Sequence, residues 1–236
     1  MKVLITICAR GGSKRLPRKN IKLTAGKPLI VYSVEKAFSI AEILNADIIL
    51  STDDMKIKKV AANFGLKTNY SRPTSLATDN SGKIDVIKDA LEFSEKQKNI
   101  KYDYLIDLDV TSPLRTTDDI ISAFEMLKAD SKAYNIFSVS RPYRNPYFNM
   151  TEKKENGYYD LVCKRNVFLT TQSAPEVYDL NASFYIFRRT FFEKQFNSVF
   201  SDKTLVFPVS HICFDIDNQE DFDYLEYIIE KGKFKF

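Results

Sequence analysis

The chain has 236 residues, 35 Lys and Arg against 31 Asp and Glu, a single histidine, and 44% apolar residues. That is enough to build one α/β domain with an appendage, and too little histidine for a multi-histidine metal site or histidine-centred catalysis. Three widely spaced cysteines, Cys8, Cys163 and Cys213, exclude a disulfide framework or zinc cluster and predict buried, reduced thiols in a cytoplasmic protein.

Lys2 to Cys8 reads as a buried parallel strand, and it is too short and too soon followed by charge to be a signal or a membrane span. After it comes Ala9-Arg10-Gly11-Gly12-Ser13-Lys14-Arg15-Leu16-Pro17-Arg18-Lys19-Asn20. The first 34 residues carry eight Lys or Arg and no Asp or Glu. A solvated face mixes its signs, so this asymmetry predicts a polyanionic ligand, and its confinement to one end argues against a general nucleic-acid binder. The loop spells neither GxxxxGK[ST] nor GxGxxG, which sets aside the Walker and dinucleotide readings. What remains is a loop whose glycines let backbone N–H groups approach a phosphate, with Arg10, Lys14 and Lys19 to neutralise it; the alternative is a plain basic surface loop.

Pro28 suits the first turn of a helix that places Ile30, Val31, Val34, Ala37, Phe38 and Ala41 on one face. Asp47 to Leu50 is a second strand, and Ser51-Thr52-Asp53-Asp54 caps a helix ending near Gly65. A short strand at Lys67 to Tyr70, an extended turn at Arg72-Pro73, and a helix starting at 79 to 81 with Ile84, Ile87, Ala90 and Leu91 inward come next. Tyr104 to Leu108 is another apolar strand. The loop 109 to 116 then leads to a helix capped by Thr117-Asp118-Asp119 and running through Leu127. This alternation predicts a three-layer, Rossmann-like α/β fold with a mainly parallel sheet. Loops 9 to 20, 51 to 54 and 109 to 116 should meet at the carboxyl ends of its strands, where such folds place their ligands.

Between Arg141 and Leu180 the rhythm breaks. Asn156-Gly157 signals a hairpin, and the segment is expected to be an inserted β arm with exposed aromatics, packing on a second subunit or else covering the site. Strands at Ser183 to Phe187, Thr204 to Pro208 and Ile212 to Ile216 follow, with helices near Arg189 to Phe196 and after Asn218. On a strand, Asp215 and Asp217 would face one way and converge on a hard cation; the alternative has Asp217 capping the last helix.

These residues resemble the CMP-sialic acid synthetases, the acylneuraminate cytidylyltransferases. The loop from Ala9 to Asn20 matches their signature, and Ser51-Thr52-Asp53, Arg72-Pro73, Leu76-Ala77-Thr78-Asp79, Thr111-Ser112-Pro113-Leu114-Arg115, Asn181-Ala182-Ser183 with Tyr185, and Asp215-Ile216-Asp217 follow in family order over almost the whole chain. Asp107-Leu108-Asp109, Pro146 to Met150 and Gln172 to Asn181 look most like the bacterial branch that activates legionaminic acid.

The resemblance implies a nucleotidyltransferase fold, a homodimer formed through the 141 to 180 arm, and transfer of CMP from CTP to the anomeric hydroxyl of a nonulosonic acid with release of diphosphate. It implies Mg²⁺ on Asp215 and Asp217; Arg10, Gly11, Gly12, Ser13, Lys14, Lys19, Asn20, Arg72 and Lys83 around CTP; and Asp109, Gln172, Asn181 and Tyr185 around the sugar. Arg10, Lys19, Asp215 and Asp217 would carry the chemistry. Tyr185 can equally be a packed strand aromatic, and Lys83 a solvated helix lysine. Three departures bear on the sugar: Asp109 stands where many sialic acid enzymes have Gln, Lys83 where others have Ser, and Asp179 where some relatives have Arg. Two other readings stay open, a cytidylyltransferase for another 2-keto sugar acid such as an octulosonate, and a nucleotide-binding module without turnover.

Overall fold

The structure is a computed structural model and describes residues 1–164, 166, 168–194 and 196–236. In chain order the elements are β1 (Val3–Cys8), the short pair β2 (Leu23–Thr24) and β3 (Lys27–Pro28), α1 (Leu29–Leu44), β4 (Asp47–Ser51), α2 (Met55–Asn63), α3 (Lys83–Lys98), β5 (Tyr104–Asp109), α4 (Thr117–Ala129), β6 (Asn135–Ser140), β7 (Thr151–Lys153), β8 (Tyr159–Leu161), β9 (Asp179–Arg188), α5 (Arg189–Glu193), β10 (Thr204–Pro208) and α6 (Gln219–Glu230).

Among the described residues six strands form one sheet in the order β10-β6-β9-β5-β1-β4. β4, β1 and β5 run parallel, as do β6 and β10, while β9 is antiparallel to both its neighbours. Side chains alternate across the sheet. Val3, Ile5, Ile7, Ile106, Leu108, Phe184 and Ile186 pack on one face with α1, α4 and α6, and Leu4, Leu105, Phe137, Tyr185 and Phe187 pack on the other with α3 and α5. Burial on both faces is why β1 reads as an uninterrupted apolar run. Among the described residues no helix is long and apolar enough to cross a membrane.

Local chemistry sets the helix ends. Asp54 accepts from the backbone N–H groups of Lys56 and Ile57 to start α2, and Thr116 and Asp119 form a reciprocal cap on α4. Asn45 and Asn99 end α1 and α3 in the left-handed region, which asparagine tolerates better than most residues. The arm contains the hairpin β7–β8, turning at Gly157 with φ of 86°.

Several expectations need correction. Residues 67–70 form no strand: β4 is the sheet's edge, and Tyr70 is instead anchored through its hydroxyl to Asp89. Residues 212–216 are also not a strand, because β10 is the opposite edge and the chain after it crosses back over the sheet ends, where the Ile216 N–H donates to the Thr111 carbonyl at 2.8 Å. Phe38 is exposed, next to Gly65, and Ile40 takes the core position. The cap of α4 is Thr116, not Thr117, and the three cysteines are free but half-buried.

Candidate active site

The loop after β1, the end of β5 and the start of α3 open into a cleft of about 550 Å³, while loop 51–54 is not part of its lining. Arg10, Ser13, Lys14, Lys19, Asn20, Arg72, Lys83, Asp109 and Asp217 all line it, so the structure brings together most of the residues singled out from sequence. Arg15, Asp79, Ser81 and Thr111 also line it. Asp215 adjoins it electrostatically, through Asp109, Thr111, Lys19 and Asp217.

The basic loop is tied down from several sides. Asn20 Nδ2 donates to the Arg10 carbonyl at 2.9 Å, while its Oδ1 is buried with no partner, an acceptor open to a ligand's donor. Lys19 donates to the Ile216 carbonyl and lies 3.9 Å from Asp217. Arg72 is buried and donates to the Ser51 carbonyl at 2.8 Å and the Ser51 hydroxyl at 3.0 Å.

Gly11 differs from the phosphate-cradle expectation. The Gly11 N–H donates to Asp53 Oδ1 at 3.0 Å, and a Cβ at Gly11 would fall 2.7 Å from Asp54 Oδ2. Gly11 is therefore glycine because the α2 cap presses against it, and its N–H is already used. A Cβ at Gly12 would meet open space.

Asp79 answers part of the positive charge. Its carboxylate receives Arg10 Nη1 at 2.7 Å and pairs with Lys14; these two contacts hold it below the ordinary carboxylate range. On the other wall, Arg15 Nη1 lies 3.1 Å from Asp217 Oδ2. The backbone N–H groups of Asp217 and Asn218 donate to Asp221, and Asn218 caps α6. The capping alternative for Asp217 is thereby excluded, and its carboxylate faces the cleft.

The acidic floor lies at the end of β5. Asp109 Oδ1 accepts from the Thr111 N–H at 3.0 Å and hydroxyl at 2.9 Å, and its Oδ2 accepts from Lys83 Nζ at 2.7 Å. Burial alone would raise the Asp109 pKa, but Lys83 and Thr111 outweigh it and bring it down to about 2. Burial and the charges of Asp109 and Asp217 push Asp215 up, partly offset by Thr111 and Lys19. Burial, with Asp107 beside it, raises the Cys8 thiol, which is not poised as a nucleophile.

The remaining candidates lie elsewhere. Tyr185 is buried in the second apolar cluster with its ring 4.5 Å from Lys83 Nζ, and burial raises its pKa to about 12. Asn181 is buried, accepts from the Ser138 hydroxyl at 2.6 Å and donates to the Ser140 hydroxyl at 2.9 Å, bracing the irregular β6–β9 pairing next to Ala182, whose φ is 57°. Gln172 is exposed in the arm.

Sequence reasoning overlooked Asp79 and Asp107 as parts of the site. For Asp107 the signal was present: acids at i and i+2 in an apolar strand must face the same side, and the strand pair is Asp107 and Asp109 rather than Asp215 and Asp217.

A cluster of cations facing carboxylates at the strand ends suits a nucleotide with its metal, and the family model described as cytidylyltransferase matches residues 4–233. The chain belongs to the cytidylyltransferase family. Relatives of this cytidylyltransferase include post-translational flagellin modification protein B of Campylobacter coli, 39% identical over 97% of this chain and 95% of its own. The CMP-N,N'-diacetyllegionaminic acid synthase of Campylobacter jejuni subsp. jejuni is 38% identical over 96% of this chain and 94% of its own. A solved CMP:2-keto-3-deoxy-manno-octonic acid synthetase complexed with CTP covers 98% of this cytidylyltransferase and 100% of its own chain, with a TM-score of 0.70 at 17% identity, a likeness of fold.

Proposed function

We propose that this cytidylyltransferase transfers CMP from CTP to the anomeric hydroxyl of a nonulosonic acid of the legionaminic or sialic type, forming a CMP-sugar and diphosphate. The observation that carries the reading is the charge gathered in the cleft. Arg10, Lys14, Arg15 and Lys19 line it together with the carboxylates of Asp109 and Asp217, and Arg15 and Lys19 lie 3.1 and 3.9 Å from Asp217. Relatives named for legionaminic and pseudaminic acids, at 30–38% identity, support this acceptor class over an octulosonate. The in-line attack asks for charge neutralisation and positioning rather than a covalent residue, which suits a chain with one histidine placed away from the cleft.

Mg²⁺ fits the donors available. Among the described residues no group of three or more His, Cys, Asp or Glu forms a cage, and Mg²⁺ is commonly held by one or two carboxylates together with substrate phosphates. Asp215 and Asp217 would hold it, and it would supply charge neutralisation at the α-phosphate and acidify the attacking hydroxyl. Arg10, Ser13, Lys14 and Lys19 would receive the triphosphate. The unpartnered Oδ1 of Asn20, with Arg72, would serve the nucleoside end.

A homodimer through the arm is part of the proposal. Tyr143 is 96% exposed, and Tyr158, Tyr159 and Leu169 add exposed apolar surface. Gln172 would reach a sugar from that arm. A CTP-consuming step of this kind belongs in the cytoplasm. The test is diphosphate release from CTP and Mg²⁺ with a panel of nonulosonic and octulosonic acids. Release with a nonulosonic acid is expected, and none with any acid would overturn the proposal.

A further inference from the structure

Lys83 is the first residue of α3, where the positive end of the helix disfavours a cation, and Gly82 before it supplies no side-chain cap. Local physics therefore argues against a lysine here, and the reason for it is tertiary. Its Nζ donates to Asp107 Oδ2 at 3.0 Å and Asp109 Oδ2 at 2.7 Å, and lies against the Tyr185 ring. Asp107 is 0% exposed, and its other oxygen accepts from the Thr6 hydroxyl at 2.6 Å. Drawing Lys83 away to a phosphate would leave that buried carboxylate without its counter-charge. The cation of the floor is thus committed to the protein.

Asp109 is left as an acceptor of fixed direction. A carboxylate offers about four lone-pair positions; Thr111 takes two of those on Asp109 and Lys83 one. One remains at a side chain that lines the cleft. It can accept a hydrogen bond from a hydroxyl or an N–H group. Arg10, Lys14, Arg15 and Lys19 would draw the triphosphate, whereas the cation at Asp109 is already paired and the carboxylate repels phosphate, so the molecule taken to meet Asp109 is the second substrate.

We infer that Lys83 is a positioning residue that holds Asp109 to accept a hydrogen bond from a hydroxyl or acylamino N–H of the sugar acid, and that this pair selects the acceptor rather than binding CTP. Lys83 offsets one of the two negative charges of Asp107 and Asp109, which lessens the repulsion that the acceptor's own carboxylate meets. The inference rests on the reaction proposed above.

The test is a double-mutant cycle with two readings: CTP affinity by calorimetry without acceptor, and acceptor KM in the diphosphate assay. Lys83→Met should raise acceptor KM by about tenfold in the wild-type background and by no more than about threefold in an Asp109→Asn background, as expected for coupled neighbours. CTP affinity should stay within about threefold in each case, since uncoupled sites act independently. If Lys83→Met does not fold, Lys83→Met/Asp107→Asn removes both charges of that pair and takes its place in the cycle. Equal losses in both backgrounds, or a loss confined to CTP affinity, would overturn the role given to Lys83. Wild-type enzyme that releases no diphosphate with any acid would overturn the reaction itself, and the inference with it, so the two failures are told apart.

Discussion

Lys19 Nζ lies 3.9 Å from Asp217 Oδ1 while donating to the Ile216 carbonyl, joining the loop after β1 to the segment that leads into α6. The contact brings to one point of the cleft the cation and the carboxylate that the proposed reaction assigns to the phosphates and to Mg²⁺. Lys19→Ala should lower kcat/KM by about 2–4 kcal/mol of transition-state stabilisation, the scale for removing one preorganised charge or donor. A wild-type value in steady-state kinetics would leave Lys19 only its tie to the Ile216 carbonyl.

Asp217→Asn should cost turnover about a hundredfold or more, as for loss of a group aimed at developing charge. Stability should move by no more than about 0.5 kcal/mol, because surface side chains outside a cap or core seldom contribute more, and Asn218 with Asp221 performs the capping here. Diphosphate release and urea denaturation of the same preparation check both halves. Wild-type turnover would remove Asp217 from the metal role.

Asp79 occupies Arg10 and Lys14, the cations that a triphosphate would claim. Asp79→Asn should strengthen CTP binding by about two- to fivefold at low ionic strength, with the gain fading as salt rises, as for exposed pairs. Calorimetry at two salt concentrations decides the point. Weaker binding in the variant would mean that Asp79 helps the nucleotide instead of competing with it.

Arg115 is completely buried and donates to the Ser112 carbonyl at 3.0 Å, the Asp109 carbonyl at 2.7 Å, the Ser183 carbonyl and the Ser33 hydroxyl. Burial lowers its pKa to about 10, so ionisation is held at a cost. Arg115→Met should destabilise the fold by about 2–4 kcal/mol, since several buried acceptors lose their donor at about 1–3 kcal/mol each and relief of the buried charge offsets part of it. An unchanged urea midpoint would refute this.

His211 Nε2 and Asp119 Oδ2 are 2.8 Å apart, linking the segment before Asp215 to the cap of α4. Burial opposes the charged imidazole, but hydrogen bonds to Asp119 and the Ile212 carbonyl prevail and raise its pKa above 6.5. The Asp119 carboxyl is lowered from 3.8, His211 and Thr116 outweighing burial. The His211 contribution is complete below pH 6.5 and lost as pH rises through the folded value; the Asp119 contribution is present above 3.8 and lost as pH falls through its folded value. The Tm of the wild type should therefore drop relative to His211→Gln as pH climbs past 6.5. Parallel curves across that range would show the pair to be neutral.

Apolar periodicity made β1, β4, β5, β10 and α1, α3, α4 and α6 readable because each buries a face, and burial needs the same residue types wherever the partner lies. Segments beyond the sheet's edges were not readable. Residues 67–70 and 212–216 have strand-like composition, yet pairing requires a neighbour, and the sheet ends at β4 and β10. Composition also cannot say that β9 runs antiparallel to β5 and β6.

The α/β rhythm, the cationic loop after β1 and the family its spelling belongs to are written in consecutive residues and can be read without a fold. How the charges are shared is settled only in three dimensions. Gly11 gives its N–H to Asp53, Arg10 and Lys14 hold Asp79, and Lys83 pairs with Asp107 and Asp109 instead of waiting for phosphate. Coulombic pairing and burial act across space, between residues far apart in the chain, and no local pattern records which cation has been spent.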